Sequence, residues 1–491
     1  MSWKFPKFDK RSLVFFCAVF CCLFSITALL MSSKMSRSII VSDGEGYYLY
    51  LPSAFIHHDL SMEWTQPLQQ ADPNKQASLP HQPADWYGLS PFRKGAYLDK
   101  YPIGLAILWI PFFIAAHIMS IHTGHPATGF TIWYQVAIGF AGAFYTSLGC
   151  VMIYKLLRRY FSIKVSYLSV LTLLLGTNML EYATQDSSFT HVYSLFLIAT
   201  ILYLTPAWYK NMTYRISILL AVLLALNVLV RSTNVLILLV MFLWNVTNLT
   251  QLRQRLALLW QQRIKLALMA GIGLIVCFPQ LLYWHFITGK WLFYSYGSAG
   301  FTNILHPHII DILFSTDRGV FFWAPVLLLS LIGLGLLWRH LKEWATPIYV
   351  FLPVWLWLMA SWESWQFGES YGHRAFIDIF PLLALALATV YSRAKSPTAR
   401  YALLAIAGLG IFANLFLTYQ FWILGLPAAG TTVQIYIKVW RLGLKSIVTQ
   451  GYTFGFLGLV GLVSVTIGPL THYFLVAKER VRPDLKLSQG K

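Results

Sequence analysis

Charge is what this chain has least of. Of its 491 residues only 11% are Asp, Glu, Lys or Arg, against about 25% in a soluble globular domain. A chain so poor in charge cannot cover its own surface in water, which excludes an ordinary soluble enzyme. Cysteine is sparse as well. All five (Cys17, Cys21, Cys22, Cys150 and Cys277) fall within apolar runs, so neither a disulfide framework nor a zinc site with paired spacing is available. The 18 acidic residues are outnumbered by 37 Lys and Arg, leaving a formal charge of +19. These cations lie between apolar runs instead of clustering on one soluble face, which argues against nucleic acid as a partner.

What is present is apolar. Hydrophobic residues make up 57% of the chain and mean hydropathy is +0.60. Apolar runs of roughly 15 to 25 residues recur from Ser12 to Val476, long enough for helices across a hydrocarbon core about 30 Å thick. They lack the alternation of a membrane barrel, and backbone in lipid must pair within itself, so the runs read as helices. The first, Ser12–Met31, follows Lys4, Lys7, Lys10 and Arg11 and reads as an uncleaved anchor. The expected fold is an all-α integral membrane domain over residues 1–491, with about twelve transmembrane helices, outer-face juxtamembrane helices and no separate soluble C-terminal domain.

Charge patterning orients the spans. With a cytoplasmic N-terminus, alternate loops carry Lys155, Arg158, Arg159 and Lys164, then Lys210 and Arg215, then Arg253, Arg255, Arg263 and Lys265. Later cytoplasmic segments hold Arg339 and Lys342, Arg393, Lys395 and Arg400, and a tail from Lys478 to Lys491. This satisfies the positive-inside bias and leaves both termini cytoplasmic. The pattern survives only if the apolar stretch 102–121 is not a full span. That stretch, broken by Pro102 and Pro111, is expected to be a juxtamembrane or re-entrant helix within a first outer loop over residues 32–129; a thirteenth span is the alternative.

Most carboxylates fall on the outer side, and the outer loops carry the candidate chemistry. The first loop opens with Ser42-Asp43-Gly44-Glu45-Gly46-Tyr47-Tyr48. A carboxylate held there, partly desolvated at the membrane surface, suits a general base; a solvated turn with interfacial tyrosines is the other reading. Lys100 enters the embedded helix and can meet a lipid phosphate or snorkel. A polar cluster from Glu181 to His191 lies against the bilayer without metal-ligand spacing, and no metal or other cofactor is expected. Arg231, flanked by Asn227 and Asn234, is an ionisable residue at membrane depth. Asp317-Arg318-Gly319 precedes a later span, and Ser361–Arg374 ends in Gly372-His373-Arg374, where a guanidinium can grip two phosphate oxygens. Lys438, Arg441 and Lys445 share one face of a helix expected over 432–448, which reads as interfacial.

In its order of parts, the chain resembles the polyprenyl-phosphate-dependent glycosyltransferases of the C superfamily (GT-C), in particular bacterial relatives of protein O-mannosyltransferases and lipid A aminoarabinose transferases. The likeness rests on a single span, the acidic motif at Asp43, the Pro-led helix after Tyr101-Pro102-Ile103-Gly104, the basic corner Lys155–Phe161 and Gly372-His373-Arg374. Tyr101-Pro102-Ile103 departs from the His-Pro-Pro or Lys-Pro-Pro of the family's classical proteins, and the large soluble C-terminal domain of oligosaccharyltransferases is missing. The resemblance implies an enzyme at the outer face of a bacterial inner membrane. It would move a sugar from a polyprenyl-phosphate donor to a glycan, lipid or protein acceptor, with inversion. Asp43 would be the base with Glu45 behind it, and Arg374, His373, Arg318, Lys100 and Arg231 would meet the donor phosphate. A transporter or flippase of lipid-linked glycans and an O-antigen polymerase or ligase remain the alternatives.

Overall fold

The computed structural model describes residues 9–32, 38–65, 88–423, 425–427, 429–449 and 453–476. Helix α1 (Lys10–Ser32) is the anchor. The outer segment holds α2 (Asp43–Phe55), a hairpin of β1 (Leu89–Arg93) and β2 (Ala96–Asp99), and α3 (Gly104–His122). Then come α4 (Ile132–Leu157), α5 (Ile163–Gly176), the single turn α6 (Met179–Ala183), α7 (His191–Asn211), α8 (Tyr214–Val230) and α9 (Ile237–Leu243). An amphipathic α10 (Leu249–Gln261) leads into α11 (Arg263–Thr288). After the short α12 (Ile309–Phe314) and α13 (Val320–Trp323) follow α14 (Leu328–His340), α15 (Lys342–Ala360), α16 (Phe380–Arg393), α17 (Pro397–Trp422), α18 (Val433–Thr449) and α19 (Thr453–Val476).

Each of the twelve expected spans is met by helix, and the chain is a multi-pass membrane protein. Among the described residues, eight helices are long and apolar enough to cross a membrane: 10–32, 104–122, 132–157, 191–211, 263–288, 374–393, 397–422 and 455–476. Shorter apolar helices at 163–176, 214–230, 232–243 and 325–340 account for four more of the expected spans. Their shortness has local causes. Helix α8 stops at Val230 because Arg231 turns to extended backbone. Pro325, which cannot donate a helical hydrogen bond, separates α13 from α14.

Helices α4, α7 and α16 form the centre, where α16 is buried along nearly its whole length. Small residues allow the closest approaches. A Cβ on Gly333 of α14 would meet the backbone oxygen of Ala386 in α16 at 2.0 Å, and one on Gly104 would meet the backbone of Leu229 in α8 at 2.3 Å. Such contacts join helices in lipid, where apolar bulk alone offers no drive to associate. Helix α11 packs on α8 and stays largely uncovered, with Ile264, Leu274 and Ile275 exposed, as a lipid-facing helix should be.

The helix α3 is continuous through Pro111, and by length and composition alone it qualifies as a span. Its ring and hydrogen-bond contacts with α4 fall between Tyr134 and Tyr145 of that helix. Tyr145 donates to the Leu108 carbonyl, Phe112 packs on Phe140 and Phe144, and His117 meets Tyr134. Its first residue abuts the Arg231 end of α8. The helix expected over 432–448 is observed as α18. It buries Val439 against the bundle, stacks Trp440 on Phe416, and presents Lys438, Arg441 and Lys445 outward.

Candidate active site

Asp43 stands at the first turn of α2, and Gly44 explains how it gets so deep. A Cβ on Gly44 would lie 2.1 Å from the Ser188 hydroxyl oxygen, so only glycine lets α2 press against the turn that precedes α7. That turn is itself pinned, because Trp109 of α3 donates to the Tyr193 hydroxyl (2.8 Å), which donates in turn to the Ser187 carbonyl (2.9 Å).

Two groups hold the Asp43 carboxylate. Arg374 Nη2 donates to Oδ2 at 2.7 Å, and the Tyr101 hydroxyl donates to Oδ1 at 2.6 Å. Both charged side chains are mostly buried, with relative exposures of 10% for Arg374 and 19% for Asp43. Burial works against ionisation of Asp43, yet the Arg374 guanidinium, then the Tyr101 hydroxyl and the Lys100 charge, outweigh it and hold the carboxyl below the usual carboxylate range. Tyr101 is pushed the other way. Burial and the neighbouring Asp43 keep its phenol protonated, so it acts only as a donor to the carboxylate.

The segment bearing Tyr101 is locked from behind. Its amide donates to Asp99 Oδ1 (2.8 Å), its carbonyl accepts from Tyr50 (2.7 Å), and its ring packs on Tyr47. Asp99 is fully buried, its own amide donates to Tyr283, and burial raises its carboxyl well above the ordinary range.

Beyond Arg374, a second buried charge cluster lies within the bundle. His191, at the start of α7, bonds Asp378 Oδ1 at 3.1 Å, and Arg231 Nε lies 3.3 Å from Asp378 Oδ2. Each arginine covers an aromatic ring: Arg374 lies over Phe189 at 4.6 Å and Arg231 over Phe367 at 5.5 Å. Neither Arg374 Nε nor Arg231 Nε makes a hydrogen bond within the protein, though both are buried.

Of the seven residues singled out from sequence, the structure joins Asp43 and Arg374 directly and sets Arg231 beside them through His191 and Asp378. Lys100 reaches the cluster over the Tyr101 ring, 4.8 Å from its centre. Arg318 sits at the margin, engaged by Asp317 at 2.8 Å. Glu45 is buried two residues along α2, and two helical residues are turned by about 200°, so it faces away from Asp43.

His373 differs from expectation. Its Nε2 donates to the Trp365 carbonyl at 2.9 Å, and burial pushes its pKa down to about 3. A neutral imidazole bonded in this way presents a lone pair at Nδ1, which cannot donate to a phosphate. Tyr101, Asp99, His191 and Asp378 went unassigned in the sequence. Tyr101 directly after Asp99 and Lys100 offered a signal, since a tyrosine between two charged residues and a proline is seldom only a belt residue. Among the described residues no three His, Cys, Asp or Glu side chains gather as a metal-binding group.

No family model matches the chain, and no curated protein matches it significantly. Among solved structures, the chain is similar to the oligosaccharyltransferase of Archaeoglobus fulgidus in its apo form, at 14% identity and a TM-score of 0.47, over 89% of this chain and 58% of that one. It is also similar to the archaeal oligosaccharyltransferase AglB from Archaeoglobus fulgidus bound to an inhibitory peptide and a dolichol-phosphate, at 14% identity and a TM-score of 0.45, with the same coverage. The chain thus spans a little over half the length of the structures it matches. Likeness at this level says nothing about activity.

Proposed function

We propose that the protein is a GT-C-type glycosyltransferase that moves a sugar from a polyprenyl-phosphate donor to an acceptor hydroxyl at the outer face of the membrane. The observation that carries this reading is the pairing of Asp43 with Arg374 against Tyr101: a mostly buried carboxylate and guanidinium in direct contact where α2 meets the helix bundle. Asp43 takes the proton of the acceptor hydroxyl as that oxygen bonds to the anomeric carbon. The bond from that carbon to the phosphate oxygen breaks, and its electron pair leaves on the polyprenyl phosphate. Arg374 and Arg231 meet the growing negative charge on that oxygen. One displacement inverts the anomeric carbon. Glu45 faces away, which weighs against a second carboxylate serving as a nucleophile.

The inferred topology supports the same face. With a cytoplasmic N-terminus, Asp43, Tyr101, Arg231 and Arg374 all fall at outer ends of helices, and the confinement of α3 to the outer half of α4 supports a helix that enters and leaves on one side. The buried Asp378, His191 and Arg231 also suit a second reading, because transporters use intramembrane charge clusters of this kind.

A panel of polyprenyl-phosphate sugars presented to the purified protein separates the two readings. The enzyme releases polyprenyl phosphate, and Asp43→Asn abolishes release, by about a thousandfold or more, while the protein still inserts and purifies normally. A transporter moves the lipid across vesicles with no release. Undiminished release from Asp43→Asn would remove that residue as base.

A further inference from the structure

Arg374 offers a fork that Asp43 only half fills. The carboxylate takes one N–H of Nη2, while the neighbouring Nε–H on the same edge is buried and bonds to nothing in the protein. Phe189 covers one face of the guanidinium and closes that face to a new acceptor. A phosphate grips an arginine through two parallel N–H groups, and the Nε and Nη2 edge supplies such a pair. Asp43 stands on half of it.

We propose that the donor phosphate displaces Asp43 from Arg374, so that donor binding itself frees the base. The inference rests on the glycosyltransferase reading and adds an order of events to it. The released carboxylate does not swing away, because Tyr101 still holds Oδ1 at 2.6 Å and is itself fixed by Asp99 and Tyr50. Oδ2, the oxygen that had faced Arg374, becomes the free acceptor for the hydroxyl proton. In the absence of donor the same oxygen is occupied, so an acceptor or water molecule meets no active base. The one guanidinium thereby couples the two substrates, and donor precedes acceptor.

The test uses the full-length protein in detergent, with farnesyl phosphate as a sugar-free polyprenyl monophosphate and farnesol as its uncharged counterpart. Because Asp43 competes with phosphate for Arg374, Asp43→Asn binds farnesyl phosphate about tenfold more tightly than the wild type. Asp43→Ala, which also removes the bond to Tyr101, tightens binding in the same direction. Tyr101→Phe leaves the ion pair in place and does not tighten it, and Arg374→Gln weakens binding. Farnesol affinity is the same in all variants. Equal or weaker farnesyl phosphate binding by Asp43→Asn and Asp43→Ala overturns the displacement while leaving the glycosyltransferase reading intact. If the wild type prefers farnesyl phosphate no more than farnesol, the phosphate donor fails, and the displacement with it.

Discussion

Asp43, the proposed base, is a carboxylate held under restraint. Its carboxyl lies below the ordinary carboxylate range because Arg374, Tyr101 and Lys100 together overcome its burial. In the free protein it is therefore the ionised form that Arg374 meets, and on the proposed mechanism the acid limb of kcat/KM for the donor lies below the ordinary carboxylate range. Replacing Arg374 with Gln removes the largest stabiliser of the anion and leaves the burial. The carboxyl then rises, and the acid limb of the kcat/KM profile moves to higher pH by about one unit or more. A profile whose acid limb stays in place in that variant removes the ion pair as the source of the depression. The sequence made Asp43 and Arg374 legible through local context: glycines around an acid in one case, aromatic residues before an arginine at a span boundary in the other. It did not show that they touch. Nor did it show that His373 donates to a carbonyl, since that depends on where residues 361–372 fold back over the bundle.

At the level of the elements, apolar length proved a reliable guide and the depth of each helix did not. Runs such as Ser12–Met31 and Phe130–Tyr154 became α1 and α4 within a few residues, because lipid leaves an apolar run no other way to satisfy its backbone. The breaks at Arg231 and Pro325 arise where chemistry or proline interrupts that rule; an apolar run that ends at Val230 anticipates the first, whereas the unbroken run over 320–338 conceals the second. Helix α3 shows the same limit, since hydropathy alone marks it as a span and only its neighbours reveal which part of α4 it meets. Its docking depends on Gly104, where any side chain would collide with the backbone of Leu229 and Val230. Gly104→Val lifts the start of α3, and with it Tyr101 three residues earlier. The expected cost is about 1 to 3 kcal/mol of stability and a fall of at least about tenfold in release of polyprenyl phosphate. Thermal unfolding and the release assay read the two effects separately. A variant with normal release shows that Tyr101 is placed by Asp99 and Tyr50 alone.

For the molecule as a whole, the charge pattern gives an orientation that site-directed labelling can check. Leu292 is strongly exposed in the loop after α11, and Lys395 is exposed between α16 and α17. A membrane-impermeant maleimide on intact cells modifies Leu292→Cys, whereas Lys395→Cys reacts only after the membrane is opened. The reverse pattern inverts the topology and places Asp43 on the cytoplasmic side, where the proposed donor chemistry has no place. The five native cysteines lie in helices and serve as the unlabelled background.

Asp43 and Arg374 are separated by 331 positions in the chain. At a synthesis rate of about 5 to 20 residues per second, the nascent protein carries its carboxylate for roughly half a minute before the arginine emerges from the ribosome. Through that interval Tyr101 and the turn at Ser188 are already made and can receive α2, but the carboxylate lacks its strongest partner. The ion pair therefore closes late in biogenesis, and a chain that stalls before Arg374 leaves the membrane with an anchor, several helices and an unpaired acid.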